Sequence, residues 1–512
     1  MARIDYASTS LGDEALDIAY ETELAAIRDT TSPIEKNLID GEWQESDSTV
    51  ERWDPCVPGA RAGAAYVATA ADVEAAISAA RGAAKAWRKT PYAERNEQLM
   101  RGRADFEAEL TRIAAVVSAE TGKTRLEAYG EAQEVLDMVE HYTTLFAAND
   151  GYRTQQKSTA TETNLDVLVP YGTFAVIAPF NFPVALSVGM SIAALVTGNT
   201  IVLKPSDKTP RSTGMMAEIF ARHLPAGVYN VVHGGPDVGR ALAEGDVDGI
   251  AFTGSAQVGW DLNRMPGPRG LPRPVLAEMG GQNPAVVSAH ADLEDAATGI
   301  VRSAFGLSGQ KCSACRRVVV DERVADELIS KLVQKAEALR VGNPEDRVSN
   351  LGPVIDEAIA ARIDAALEKA RRDGKVLTGG KVEREGNFYA PIIVSDLPVG
   401  HELTREELFA PLLSVTRVSD FEAAIAEANA VSYGLSAGVF SKDEEEIERF
   451  YDEIEAGVTY SNRAAGATTG AWPGAQSFAG WKLSGITGKG GLGQHYLQGF
   501  MREQNRTIVS AA

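Results

Sequence analysis

The sequence contains no apolar run that reaches the roughly 18 residues a membrane-spanning helix needs, which argues against an integral membrane protein. Positive charge is scarce: 50 basic residues face 71 acidic ones, a formal net charge of -21. Such an excess repels nucleic acid and anionic membrane, so neither is expected as a partner. Cysteine is rarer still, with three in 512 residues. Three thiols cannot staple so long a chain, and free thiols point to a reducing compartment. The six histidines form no paired motif, so no metal site is expected. The N-terminus has one early Arg and several acids but no apolar segment, unlike a secretory signal. A soluble, cytoplasmic protein is the expectation.

What is present is an ordinary globular composition, 44% hydrophobic and 24% charged. The length exceeds what one core serves, so about two or three domains are expected. Apolar residues recur at helical spacing over 72–87 and over 324–339, where Leu328, Leu332 and Leu339 repeat the pattern. Between about 172 and 287, apolar runs at 173–178, 200–203, 227–232 and 249–252 are separated by helix-like stretches. Short strands alternating with helices imply a parallel, doubly wound sheet covered on both faces. A second mixed stretch opens near Ser288 and runs to about Asn462. The segment 158–169 alternates polar and apolar residues and 505–509 is β-prone, so both are expected as exposed strands covered by oligomerisation. The residues before Asn37 are expected to lie across the first domain or to be disordered.

Cys312 sits in Gly306-Leu307-Ser308-Gly309-Gln310-Lys311-Cys312-Ser313-Ala314-Cys315, a small-residue loop whose basic neighbour would favour a thiolate. Alone, such a cysteine reads equally well as a buried small hydrophobe. The Cys312-x-x-Cys315 spacing admits zinc or a redox pair, but zinc lacks two further ligands and a redox pair lacks its small strand-to-helix frame. The loop keeps informative company. Glu278 ends an apolar run beside Gly280 and Gly281, Asn181 stands among Pro179, Phe180, Phe182 and Pro183, and Lys204 and Asp207 follow another run. Thr253-Gly254-Ser255 passes from a strand through a glycine turn into a helix. The carboxyl ends of parallel strands are where ligands bind in an open α/β sheet.

Together and in this order, the motifs resemble the aldehyde dehydrogenase superfamily over nearly the whole chain, from about residue 38 to 509. The resemblance implies an α/β fold with a Rossmann-type parallel-sheet cofactor domain over 1–155 and 172–287 and an α/β catalytic domain over 288–480. A small β oligomerisation extension would span 156–171 and 495–512, serving a homodimer or higher homo-oligomer. It implies oxidation of an aldehyde to an acid with Cys312 as nucleophile, Glu278 as general base and Asn181 as oxyanion donor. By the same resemblance Lys204 and Asp207 contact the adenosine ribose, Gly254 and Ser255 the pyrophosphate, and Glu407 and Phe409 the nicotinamide ribose and ring, with Pro179 and Phe180 beside the cofactor. Phe180 stands where tryptophan is frequent in the family, and Asp207 where glutamate is. An acid at 207 accepts ribose hydroxyls and repels a 2′-phosphate, which favours NAD, while its shorter side chain keeps NADP as the alternative.

The segment from Thr468 to Gly491 most resembles the 1-pyrroline-5-carboxylate dehydrogenase branch, although Ser477 and Ala479 stand where that branch usually has proline and glycine. The resemblance implies L-glutamate γ-semialdehyde as substrate, its α-carboxylate held by the Ser484-Gly485-Ile486 backbone and the Ser313 hydroxyl. The glycine-rich run 485–493 otherwise reads as a turn or linker. Succinate or 2-oxoglutarate semialdehyde, simple aliphatic or aromatic aldehydes, and a non-catalytic structural protein on the same fold are the alternatives.

Overall fold

The protein is described from a computed structural model covering residues 12–29 and 33–509. The first eleven residues, whose composition argued against a signal, and the last three of the expected 495–512 extension lie outside the described residues. Two seven-stranded sheets organise the rest. The first runs in the order Val275–Met279, Gly249–Gly254, Thr173–Ile177, Thr200–Lys204, Tyr229–Val231, Asn37–Ile39, Glu42–Gln44. The strands from Val275–Met279 to Tyr229–Val231 are parallel, and an antiparallel pair closes the far edge. Thr173–Ile177 and Thr200–Lys204 are buried along their whole length, which is why they read as unbroken apolar runs. Strand order reverses between Thr173–Ile177 and Gly249–Gly254. At such a switch point the outgoing loops part and leave a crevice at the carboxyl ends.

The second sheet runs Lys375–Lys381, Tyr389–Ser395, Leu412–Val418, Cys315–Asp321, Asn283–Val287, Ser436–Phe440, Val458–Ser461, parallel except for its first strand. Asn283–Val287 therefore belongs here, so the change of sheet falls between Met279 and Asn283 and earlier than the expected boundary at 287. Gly280 and Gly281 make that turn, and a side chain at Gly280 would collide with the Glu407 carboxylate. The chain later returns to the first half: Ala471, Leu492, Tyr496 and Phe500 share a core with Phe174 and Val176.

Of the two helices read from periodicity, the first runs over Ala70–Lys89, two residues beyond the expected stretch at each end, and the second over Glu322–Glu337, starting two residues earlier and ending before Leu339. The first is opened by a capping box in which Thr69 and Asp72 satisfy each other's backbone N–H. Helix Glu14–Asp29 lies across the first half, with Tyr20 and Leu24 in its core. Its Asp17 and Glu21 pair with Arg125. The two segments expected to form one β extension pair with each other: Met501–Val509 runs antiparallel to Glu162–Pro170 along its full length and is the edge strand of its sheet. Alternation over 158–169 and the β-prone run 505–509 signal edge strands but do not say which strand lies beside each. Among the described residues no helix is long and apolar enough to cross a membrane.

Candidate active site

Cys312 lies between the helical turn Gly306–Gly309 and strand Cys315–Asp321. Leu307 and Ser308 both adopt φ 50°, a left-handed conformation costly for side-chain-bearing residues, and the Ser308 hydroxyl donates to the Gly352 carbonyl at 2.6 Å. Beyond this turn, the carbonyls of residues 310–314 all accept from side chains. Asn181 Nδ2 reaches Gln310 O at 3.0 Å, Arg316 Nη2 reaches Lys311 O at 3.0 Å, and Thr468 Oγ1 reaches Ser313 O at 2.7 Å. Asn283 Nδ2 reaches both Cys312 O at 2.8 Å and Ala314 O at 2.9 Å. In a trans peptide the carbonyl and the following N–H point in opposite directions. The Cys312 N–H is thereby turned away from Arg316, and it has no acceptor among the described residues. Cys315, by contrast, is wholly buried, with its Sγ 3.4 Å from Arg317 O.

The expected stabilisation of a thiolate by Lys311 is outweighed at this site. Burial pushes the Cys312 thiol up to about 12, and the Glu407 and Glu278 carboxylates push it the same way. Lys311 Nζ lies 3.9 Å from Glu127 Oε1, and burial depresses its own basicity. The thiol is thus held neutral until a proton acceptor serves it. Glu278, at the end of strand Val275–Met279, accepts the Gly491 N–H at 2.5 Å, and burial raises its carboxyl to about 7. A carboxylate at that value exchanges protons near neutrality.

Asn181 follows strand Thr173–Ile177 and is held from behind. The Glu131 carboxylate accepts from the Val184 and Ala185 N–H groups at 2.8 and 3.2 Å, capping helix Ala185–Val196. Glu131 is paired with the equally buried Lys123, whose ammonium sits 3.9 Å above the Phe182 ring. This arrangement fixes the residues on the C-terminal side of Asn181. Asn181 itself is buried, and its neighbour Phe182 joins Cys312, Ser313 and Glu278 in the wall of a cavity of about 600 Å³. Lys311 and Arg302 bring positive charge to the cavity, and Glu127 and Glu134 bring negative charge.

The loop expected to meet a carboxylate is displaced from this cavity. Ser484 is fully buried: its hydroxyl accepts from Gly434 N–H at 3.0 Å and its carbonyl from Met279 N–H at 2.9 Å. Gly485 is bridged to Glu278. Neither forms part of the cavity wall, whereas Gly470 and Ala471 do, together with Ser313. Gly470 takes φ +94°, which a residue with a side chain rarely adopts. Gly470, Ala471, Arg463 and the acids of helix Arg125–Ala148 went unread in the sequence. The Thr469-Gly470-Ala471 stretch was visible as small residues but lacked any local mark that set it above the longer glycine run.

The remaining residues gather at the crevice of the first sheet. Lys204 Nζ donates to the Pro205 and Gly234 carbonyls, the latter at 2.9 Å, and burial lowers its basicity to about 8. A Cβ at Gly235 would stand 3.5 Å from Asp207 Oδ2, and one at Gly239 3.4 Å from Lys204 Cδ, so both glycines leave room beside this charged pair. Gly254 ends its strand where a Cβ would press on the Phe252 ring, and Ser255 caps the exposed N-terminus of helix Ala256–Arg264 through Val258 N–H. A dipole end with an open approach suits a pyrophosphate. Glu407 Oε1 accepts from Gly281 N–H at 3.0 Å. Phe409, at φ 59°, meets the Phe180 ring edge-on at 6.0 Å, with Pro179 next in the chain. The residues therefore fit a dinucleotide.

The model of the aldehyde dehydrogenase family matches residues 43–505. A protein named 1-pyrroline-5-carboxylate dehydrogenase from Anoxybacillus flavithermus is 38% identical over 445 residues, covering 85% of each chain. One of the same name from a Geobacillus species is 35% identical over 509 residues, covering 96% of this chain and 97% of the relative. Among solved structures, 1-pyrroline-5-carboxylate dehydrogenase from Thermus with bound NAD superposes with a TM-score of 0.94 at 31% identity, over 100% of this chain and 99% of the other.

Proposed function

The chain belongs to the aldehyde dehydrogenase family, and on that premise we propose that it oxidises L-glutamate γ-semialdehyde to L-glutamate with NAD, a step of proline catabolism. The observation that carries this reading is a single cavity that joins Cys312 and Glu278 to both signs of charge and to the Ser313 and Gly470-Ala471 backbone. Such a wall complements an amino acid that bears an ammonium, an α-carboxylate and a reactive carbonyl. The names of the relatives support the same substrate.

In this reading the Cys312 sulfur bonds to the aldehyde carbon as its proton passes to Glu278, directly or through water. The carbonyl oxygen, now an alkoxide, takes hydrogen bonds from the Cys312 N–H and the Asn181 amide. When bound, the dinucleotide supplies the hydride acceptor, which converts the thiohemiacetal to a thioester. Lys204 and Asp207 would hold the adenosine ribose, Gly254 and Ser255 the pyrophosphate, and Glu407, Phe409, Phe180 and Pro179 the nicotinamide end. Glu278, after releasing the first proton to solvent, takes a proton from water, whose oxygen bonds to the thioester carbon as the carbon–sulfur bond breaks and the Cys312 sulfur leaves as thiolate. Asp207 repels a 2′-phosphate, which supports NAD over NADP.

The first sheet serves the cofactor and the second the catalytic part, in a cytoplasmic homodimer or larger homo-oligomer whose free edge strand Met501–Val509 leaves Ile508 and Val509 exposed. Assaying NADH formation with glutamate, succinate and 2-oxoglutarate semialdehydes and with hexanal tests the substrate. The glutamate derivative should give the highest kcat/KM, and turnover no faster than hexanal removes this reading.

A further inference from the structure

Gly470 and Ala471 follow a loop secured at both ends. At one end Asn462 accepts from Ser441 N–H at 3.0 Å and donates to Ser441 O at 2.8 Å. At the other, Thr468 bonds both Ser303, at 2.8 Å, and Ser313 O. Between them the Arg463 guanidinium, 4.7 Å from the Tyr460 ring, gathers carbonyls. Nη1 donates to Gly466 O at 3.3 Å and to Thr469 O, and Nη2 donates to Gly470 O at 2.9 Å. The fork geometry of arginine allows one side chain to hold successive carbonyls in a single plane.

The consequence follows from peptide planarity. With the Thr469 and Gly470 carbonyls drawn to one cation, the N–H groups of Gly470 and Ala471, on the far ends of those peptides, point away from it and share a face. The φ of +94° at Gly470 is what lets two successive carbonyls converge, and a Cβ there would stand 2.8 Å from Arg463 Nη2. Neither N–H has an acceptor among the described residues. Two unpaired successive N–H groups in a cavity wall form an anion-receptive nest.

Resting on the substrate reading above, we propose that Arg463 is a positioning residue for carboxylate recognition: its guanidinium holds the Thr469 and Gly470 carbonyls so that the Gly470 and Ala471 N–H groups meet the α-carboxylate of the substrate. It acts through the loop, by geometry. A lysine at 463 keeps the positive charge but cannot hold several carbonyls in one plane.

The test compares the wild type with Arg463→Lys, Arg463→Gln and Gly470→Ala, using glutamate γ-semialdehyde and pentanal as substrates and glutamate as a binding probe. All three variants should raise KM for the semialdehyde and Kd for glutamate by about tenfold or more, with kcat changed far less and pentanal kcat/KM within about threefold. An Arg463→Lys enzyme that retains wild-type KM overturns the proposal in favour of simple charge attraction. Equal losses on both aldehydes overturn it in favour of general support of the fold. If the wild-type enzyme itself shows no preference for the semialdehyde over pentanal, the substrate reading fails first and the proposal falls with it, a result visible before any variant is made.

Discussion

Two small-residue loops were read in the sequence as parts of one site, and they differ in what their backbone does. Along 310–314 every carbonyl is taken by a side chain, leaving the Cys312 N–H without an acceptor among the described residues. At Ser484-Gly485 the hydroxyl and the carbonyl are consumed in pairing with Gly434 and Met279, and the turn braces the strand that ends in Glu278. Small residues permit either outcome. The difference lies in which partners claim the carbonyls, and those partners are distant in sequence.

The comparison breaks most directly at the first loop. Cys312→Ala should lower aldehyde oxidation by at least about 10⁴-fold in a steady-state NADH assay, while a Cys315→Ala enzyme remains active. Wild-type turnover by Cys312→Ala would end the assignment. Next in size, Asn181→Ala should lower kcat by about 10²–10³-fold with KM little changed, because it removes a donor that matters where charge develops. A mainly raised KM would place Asn181 in ground-state binding instead.

Glu278 is bridged to Gly485 and shares the cavity wall with Cys312, and its titration gives an effect of intermediate size. With its carboxyl raised to about 7 by burial, kcat/KM should fall about tenfold per pH unit below that value, and Glu278→Gln should erase the limb. The stability effect has the opposite sense. Between 4.5 and about 7 the folded state holds a proton that the unfolded state has lost, so stability declines as pH rises through this window. Glu278→Gln should then melt higher than wild type at pH 8 and lose that advantage near pH 4, as calorimetry can check. The smallest catalytic effect belongs to the second loop. Ser484→Ala should cost about 1–3 kcal/mol of stability in denaturant titration while KM stays within about twofold, and a large selective rise in KM would return this turn to the substrate site.

Much of the cofactor crevice was legible because parallel strands buried on both faces write continuous apolar runs, and the charged or glycine-bearing residues just past them mark the carboxyl ends. Lys204, Asp207 and Ser255 stand out in this way as candidates for holding the cofactor. The identity of the carboxylate loop was not legible. A side chain seven residues upstream, Arg463, decides where the Gly470 N–H points, and nothing in the local composition distinguishes that stretch from the richer glycine run after Ser484. The basic neighbour of Cys312 misled for a related reason: Lys311 faces Glu127, more than 180 residues away.

The central claim is that Cys312 carries the acyl group and Glu278 releases it. Rapid mixing of Glu278→Gln with glutamate γ-semialdehyde and NAD, followed by intact-mass and peptide mass measurement, tests both halves. The account predicts one slowed turnover that releases about one NADH per site, because the variant lacks the base for the Cys312 proton, then almost no further turnover, and a glutamyl adduct that accumulates on Cys312. Repeated turnover with no accumulating adduct, or an adduct on Cys315, would contradict it.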